Sequence, residues 1–289
     1  MLTLPEFPPT EPGQFVQLEC RDVHEASRLE REIDWQTDRP PDLGADTLLT
    51  PGAMLRRPFS LAGRRNTSTG VELDIIHRFV GIGTGWLSRL KRGDQVGILG
   101  PLGNRFDLPA NDATAVLVGG GVGIPPMLYL AEKLTGRSAV AFCGALSRDL
   151  LPLTVVTHVS PTGIVPTPSI AEFARHGIPS VITTDDGSYG FRGFVTQALE
   201  QYLDSPNTQN PTRSTIVYTC GPEPMMKRVA EIALSRNIPC QVAVERAMAC
   251  GMGTCQSCVI RTKAINERGW VYKLACTDGP IFSACDLLW

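Results

Sequence analysis

Three cysteines in Cys250-Gly-Met-Gly-Thr-Cys255-Gln-Ser-Cys258 form a C-x4-C-x2-C run, and Cys276 follows after a short excursion. Three thiols this close in sequence converge only if the chain loops tightly around whatever they hold. Gly251 and Gly253 supply the positive-φ freedom and bare backbone such a loop needs. The spacing is the one that wraps a plant-type [2Fe–2S] cluster, with Cys276 as the fourth ligand. Two other readings compete. Structural zinc usually takes two C-x2-C knuckles, and only one such pair is present. Disulfides suit nine cysteines poorly, since the count is odd and a chain of 289 residues can bury a core without staples. Cys20, Cys143 and Cys240 sit in apolar runs as small core residues, and Cys285 has no evident role.

A cluster of this kind implies electron transfer, so the rest of the chain should hold a donor and an acceptor. The length predicts about two domains. A net charge of −2 without a basic stripe argues against nucleic acid as a partner. No apolar stretch reaches the roughly 18 residues of a membrane span. Nor does the N-terminus, Met-Leu-Thr-Leu-Pro-Glu, resemble a secretory signal. A cytoplasmic protein is expected.

Periodicity divides the chain into residues 1–110, 111–239 and 240–289. The first unit reads as β, with strands over 14–20, 71–80 and 95–99 and a polar, proline-containing insertion over 21–53. The second alternates strands over 113–118, 139–142, 153–156, 180–183 and 215–219 with helices over 125–134, 194–203 and 224–236, the pattern of a doubly wound parallel sheet. The third is a small unit around the cysteines.

Two stretches suit phosphate-bearing cofactors. Thr84 stands at the N-cap position of an expected helix that runs toward Arg89, Lys91 and Arg92 and ends at Gly93. A helix start behind a glycine is a ready pyrophosphate site, and Arg57 can pair with phosphate oxygens in a fork. Ser60 adds a hydroxyl for a flavin ring atom. Plain capping is the bland alternative. Further on, the strand ending in Gly119, Gly120, Gly121 and Gly123 leads into Pro125-Pro126 and a helix. Bare backbone there admits a dinucleotide pyrophosphate, though such a run also serves tight packing. Cys220-Gly-Pro ends a later parallel strand, where ligands collect.

The order Pro12-Gly-Gln-Phe, Arg57-Pro58-Phe59-Ser60, Gly83-Thr84, Gly100-Pro-Leu-Gly, Gly119–Pro126, Cys220-Gly-Pro and Met248-Ala-Cys-Gly resembles the ferredoxin-reductase superfamily. Within it the chain is most similar to the electron-transfer subunits of NAD-dependent dihydroorotate dehydrogenase. The resemblance implies a Greek-key flavin-binding β-barrel, a doubly wound nucleotide-binding domain and a C-terminal [2Fe–2S] domain. It implies FAD on Arg57–Ser60, on Ile76, His77 and Arg78, and on Gly83 and Thr84. It implies NAD on the glycine run, with Asp185 and Asp186 in an Asp-Asp-Gly-Ser loop suited to a ribose diol. Arg148 argues the other way, for a 2′-phosphate. Cys220 falls beside the nicotinamide and flavin, and the cluster ligands fall on Cys250, Cys255, Cys258 and Cys276. The implied activity is a relay from NAD(H) through FAD and the cluster to an FMN-bearing catalytic dihydroorotate dehydrogenase subunit, in a heterotetramer that serves pyrimidine biosynthesis. Apolar Met248, Met252, Ile281 and Phe282 are the expected contact surface. A flavin subunit of an NAD(P)H-linked ferredoxin oxidoreductase or sulfide dehydrogenase, and a non-catalytic redox sensor, are the alternatives. Two departures stand out. Residues 1–11 are few for the strands that open such a barrel, which leaves its N-terminal edge in question, and the 21–53 insertion has no counterpart.

Overall fold

The computed structural model describes residues 1–21, 55–156, 163–205 and 214–289, so the insertion lies outside the described residues from position 22 to its end at 53. The N-terminal portion holds two three-stranded antiparallel sheets. One pairs β1 (Leu2–Leu4), β5 (Gly70–Asp74) and β4 (Gly63–Thr67); the other pairs β3 (Arg57–Ser60), β2 (Phe15–Glu19) and β6 (Gly97–Leu102). Strand β1 is the one strand that residues 1–11 contribute, and it lies antiparallel to β5. Side chains on β2 alternate between two cores. Val16 and Leu18 face a core shared with Leu61, Val71 and Leu73, while Phe15 joins the core beneath the cysteine loop.

The strand expected over 71–80 stops at Asp74. Its partner β4 begins opposite, at Gly63, so nothing continues the ladder, and residues 75–80 run on without a partner strand. The short strands β3 and β4 carry polar, arginine-rich stretches without apolar alternation, which is why periodicity does not find them.

The second portion is a seven-stranded sheet in the order β10 (Phe191–Arg192), β9 (Ser180–Thr184), β8 (Ala139–Ala145), β7 (Thr114–Gly120), β11 (Thr215–Cys220), β12 (Cys240–Ala243), β15 (Ile281–Ser283). All pairings are parallel except β12 with β15. Strand β7 is a near-continuous apolar run because helices cover both its faces. One face carries the short α3 (Ala171–Ala174) and α2 (Ile124–Lys133), whose first turn accepts Pro125 and Pro126 because N–H groups there have no helical partner. The other carries α4 (Val195–Leu203) and α5 (Glu223–Leu234). The order reverses between β7 and β11, and their carboxyl ends, Gly119 and Cys220, are register partners.

Residues 153–156 form no regular strand. Val155 makes one isolated bridge to Ile170, and the Thr154 N–H goes to the Glu172 carboxylate at 3.1 Å. The sheet also runs across the boundary drawn at residue 240, since β12 and β15 both belong to it. The hairpin of β13 (Val259–Lys263) and β14 (Trp270–Leu274) stands apart, next to the cysteine loop. The portions share core. Cys258, Cys276 and Phe282 pack in one cluster with Phe15 and with sheet residues, and the Tyr129 hydroxyl on α2 bonds Thr10 Oγ1 and the Thr10 carbonyl, both at 2.7 Å.

Candidate functional site

A cleft of about 1260 Å³ opens between the N-terminal sheets and the switch point of the parallel sheet. It gathers residues far apart in sequence: Arg57, Pro58, Phe59 and Ser60 from β3, then Ile76, His77 and Arg78, then Gly83 and Thr84, and opposite them Gly120, Gly121, Gly123, Asp185 and Cys220. Two expected residues, Gly119 and Asp186, do not line it.

The first wall is built on β3, held in register against β2 so that Ser60 lies opposite Phe15 and Pro58 opposite Gln17. The Phe59 and His77 rings meet edge to face at 6.2 Å. Arg57 bonds the Leu55 carbonyl at 3.1 Å. The helix behind Gly83 differs from expectation: α1 spans Ile82–Leu87, with Gly81 as N-cap and Thr84 at its third position. Thr84 Oγ1 reaches back to accept the N–H groups of Val80 at 3.0 Å and Gly81 at 3.1 Å. Arg89, Lys91 and Arg92 therefore lie beyond the helix, not in its last turn.

Across the cleft, the glycines divide by task. A Cβ on Gly119 would lie 3.0 Å from Ile124 Cα, and one on Gly123 would run into the Cys220 carbonyl. Gly119 lets α2 close on β7 and Gly123 lets its start close on β11, the tight-packing role. Gly121 has φ +53° and nothing near its Cβ position, so it turns the chain while leaving the cleft open. Cys220 is buried, and that burial, with Glu245 adding to it, pushes its thiol up to about 12. It is a neutral thiol.

The aspartates also part. Asp186 accepts the Ser188 hydroxyl at 2.6 Å and its N–H at 2.9 Å, which holds its carboxyl below the usual range. Asp185 faces the cleft, its carboxyl raised by burial and by Asp186. Arg148 stacks over the Tyr189 ring at 5.4 Å. Sequence reasoning missed Glu245, Arg246 and Glu223. The first two line the cleft at the carboxyl end of β12, and Arg246 is ion-paired to Glu223. The rule that ligands gather at such strand ends would have found them, had 240–243 been read as a strand of this sheet.

The cysteines lie beside that cleft. The Met252 and Cys255 N–H groups both point at Cys250 Sγ, at 3.4 Å. Gly251 at φ +72° and Gly253 at φ +90° make the turns that aim them. Cys255 Sγ lies 3.2 Å from the Ser257 hydroxyl, which with the Cys250 backbone draws its thiol down to about 6. Burial first, and Cys258 and Cys250 after it, push the Cys276 thiol up to about 11. Cys258 and Cys276 are buried, whereas Cys255 is exposed. Among the described residues, no three His, Cys, Asp or Glu side chains close in as the ligands of one ion do. Of the expected contact surface, Ile281 and Phe282 are core: both lie on β15, 7% exposed, so only Met252, 52% exposed, offers a partner an open apolar side chain. Met248 is half-buried.

Known proteins share this arrangement. The structure of an NADH-dependent reduced ferredoxin-NADP oxidoreductase superposes with a TM-score of 0.67, at 26% identity over 97% of this chain and 80% of that one. The FAD/NAD-binding domain of a nitric oxide dioxygenase from Vibrio cholerae shares the fold at a TM-score of 0.50 and 18% identity, over 80% of this chain and 82% of that one. The class is that of ferredoxin-reductase-like redox proteins. A family model, the iron-sulfur cluster binding domain of dihydroorotate dehydrogenase B, matches residues 245–288. The electron transfer subunit of dihydroorotate dehydrogenase B (NAD(+)) from Caldanaerobacter subterraneus is 34% identical over 234 residues, covering 81% of each chain. Its counterpart from Geobacillus thermodenitrificans is 37% identical over 240 residues, covering 81% of this chain and 80% of its own. The chain belongs to this family of electron transfer subunits.

Proposed function

We propose that the chain carries electrons between NAD(H) and a catalytic dihydroorotate dehydrogenase subunit, through FAD and a [2Fe–2S] cluster. One observation carries the reading: a single chain sets a cleft with two anion-ready walls beside a cysteine loop whose backbone N–H groups aim at Cys250 Sγ. The residues fit the groups. Backbone N–H groups aimed at Cys250 Sγ are what a thiolate-bound cluster takes, so Cys250, Cys255, Cys258 and Cys276 would hold it.

Along the first wall, Arg57 would pair the FAD pyrophosphate, and the Ser60 hydroxyl would meet the flavin ring. The two three-stranded sheets would act together as the Greek-key flavin barrel. Across from them, bare Gly120 and Gly121 would admit the nicotinamide dinucleotide, and the neutral Cys220 would sit beside its reacting ring. Asp185 favours NAD, because a carboxylate suits a ribose diol and repels a 2′-phosphate, while Arg148 is turned onto Tyr189. Flavin is what lets a two-electron hydride carrier serve a one-electron cluster. The buried Cys258 and Cys276 look inward, toward the core that holds Phe15, and the exposed Cys255 beside Met252 marks the exit. The partner there would carry FMN, in a cytoplasmic heterotetramer. Among the described residues no helix is long and apolar enough to cross a membrane.

The test is reconstitution with a catalytic dihydroorotate dehydrogenase subunit. NAD⁺-linked dihydroorotate oxidation is expected in the mixture and from neither chain alone. The likeness to an NADH-dependent ferredoxin-NADP oxidoreductase favours one second reading, in which ferredoxin is the partner. Ferredoxin-linked NAD(H) turnover, with none from dihydroorotate, would establish it instead.

A further inference from the structure

Gln17 on β2 is fully buried, 0% exposed, yet neither its Nε2 nor its Oε1 has a hydrogen-bond partner among the described residues. A buried amide with both ends unpaired is uncommon in a native core and calls for a reason. Its position supplies one. In register, Gln17 lies between Pro58 of β3 and Leu99 of β6, on the face it shares with Phe15. Its side chain runs to the cysteine loop. A Cβ added to Gly251 would come within 2.5 Å of Gln17 Nε2, 2.9 Å of its Cγ and 3.1 Å of its Cδ, so the amide lies against the turn that follows Cys250. Gly251 is thus bare for two reasons: φ of +72° and the amide against it. The same turn aims the Met252 and Cys255 N–H groups at Cys250 Sγ.

We propose that Gln17 is an outer donor to the cluster, its amide N–H directed to sulfur on the Cys250 side once iron is bound, and that it raises the cluster's reduction potential. The proposal rests on the reading that the four cysteines hold a [2Fe–2S] centre. Hydrogen bonds to cluster sulfur favour the reduced form because it carries the extra negative charge. Since Gln17 is paired in register with the strand of Arg57–Ser60, it also links the flavin wall directly to the cluster loop.

Gln17→Met keeps the length of the side chain and removes the donor. In cluster-loaded protein, with iron and sulfide measured first, an EPR-monitored redox titration should show the variant's reduction equilibrium about tenfold less favourable, a fall of about 59 mV for one electron. In the metal-free protein the same variant should melt no lower than wild type, because an amide without a partner is being replaced. A loaded Gln17→Met that titrates at the wild-type potential overturns the proposal. So does a variant that fails to fold, since the amide would then have a structural partner. Wild-type protein that binds no iron overturns the cluster reading itself and the proposal with it.

Discussion

Gly123→Ala separates two explanations of the glycine run. At Gly123 the backbone is ordinary, φ −85° and ψ −6°, so alanine meets no conformational barrier. Space is the obstacle. The new Cβ would fall inside van der Waals contact of the Cys220 carbonyl and the Gly221 nitrogen, both backbone atoms at the end of β11. That strand is clamped between β7 and β12 and cannot retreat cheaply. Overpacking of this kind costs about 1–3 kcal/mol, and no helix-propensity gain offsets it, because Gly123 is the N-cap of α2, where alanine is no better than glycine. A fall in Tm of about 2–12 °C is expected, with a raised KM for NADH as α2 is pushed from the sheet. Gly121→Ala is the control. Its Cβ meets nothing, but φ of +53° costs about 1–2 kcal/mol, so it too loses stability while Cys220 stays in place. Thermal melts and NADH kinetics of both variants decide the matter. A Gly123→Ala protein as stable as wild type, with unchanged KM, would refute the packing argument.

Three further outcomes are expected. Arg57→Ala should weaken FAD by about 1.5–3 kcal/mol, roughly 10- to 150-fold in Kd, measured by flavin release under dilution; unchanged affinity would remove Arg57 from the flavin site. Cys255→Ser should lose iron and acid-labile sulfide while FAD stays bound, checked by metal analysis and the visible spectrum, because the cleft wall is built on β3 and not on the cysteine loop. Tyr129→Phe removes the bonds to Thr10 and should cost about 1 kcal/mol, a drop of about 2–4 °C in Tm that leaves cofactor content unchanged.

Local chemistry was legible in the sequence; choices made by tertiary contacts were not. The cysteine loop is local, since its spacing and glycines already force a tight turn, and the run of Ala115–Gly120 into Pro125 announces a strand, a turn and a helix start without help from elsewhere. The role of Thr84 was not local. Its hydroxyl takes the N–H groups of Val80 and Gly81 from the third helical position, and capping preferences alone do not separate that from an N-cap. Asp185 and Asp186 look alike in sequence, and only the Ser188 bonds reveal which one is spent on its own loop. Ile281 and Phe282 follow the last ligand and read as an exposed apolar edge until β15 is seen to complete the sheet. Gln17 gave no signal at all: a polar residue in a strand is ordinarily on the solvent face, and its burial depends on the cysteine loop folding back across β2.

Within one chain, electrons are proposed to pass from NAD(H) to the cluster. The direct measurement is anaerobic addition of NADH to protein isolated with its cofactors, followed by optical and EPR spectroscopy. About two irons and two sulfides per chain, bleaching of the flavin band, and the EPR signal of a reduced [2Fe–2S] centre that disappears in Cys255→Ser are expected. A flavin that NADH reduces while the cluster stays oxidised, or a protein that binds zinc in place of iron and sulfide, would contradict that transfer.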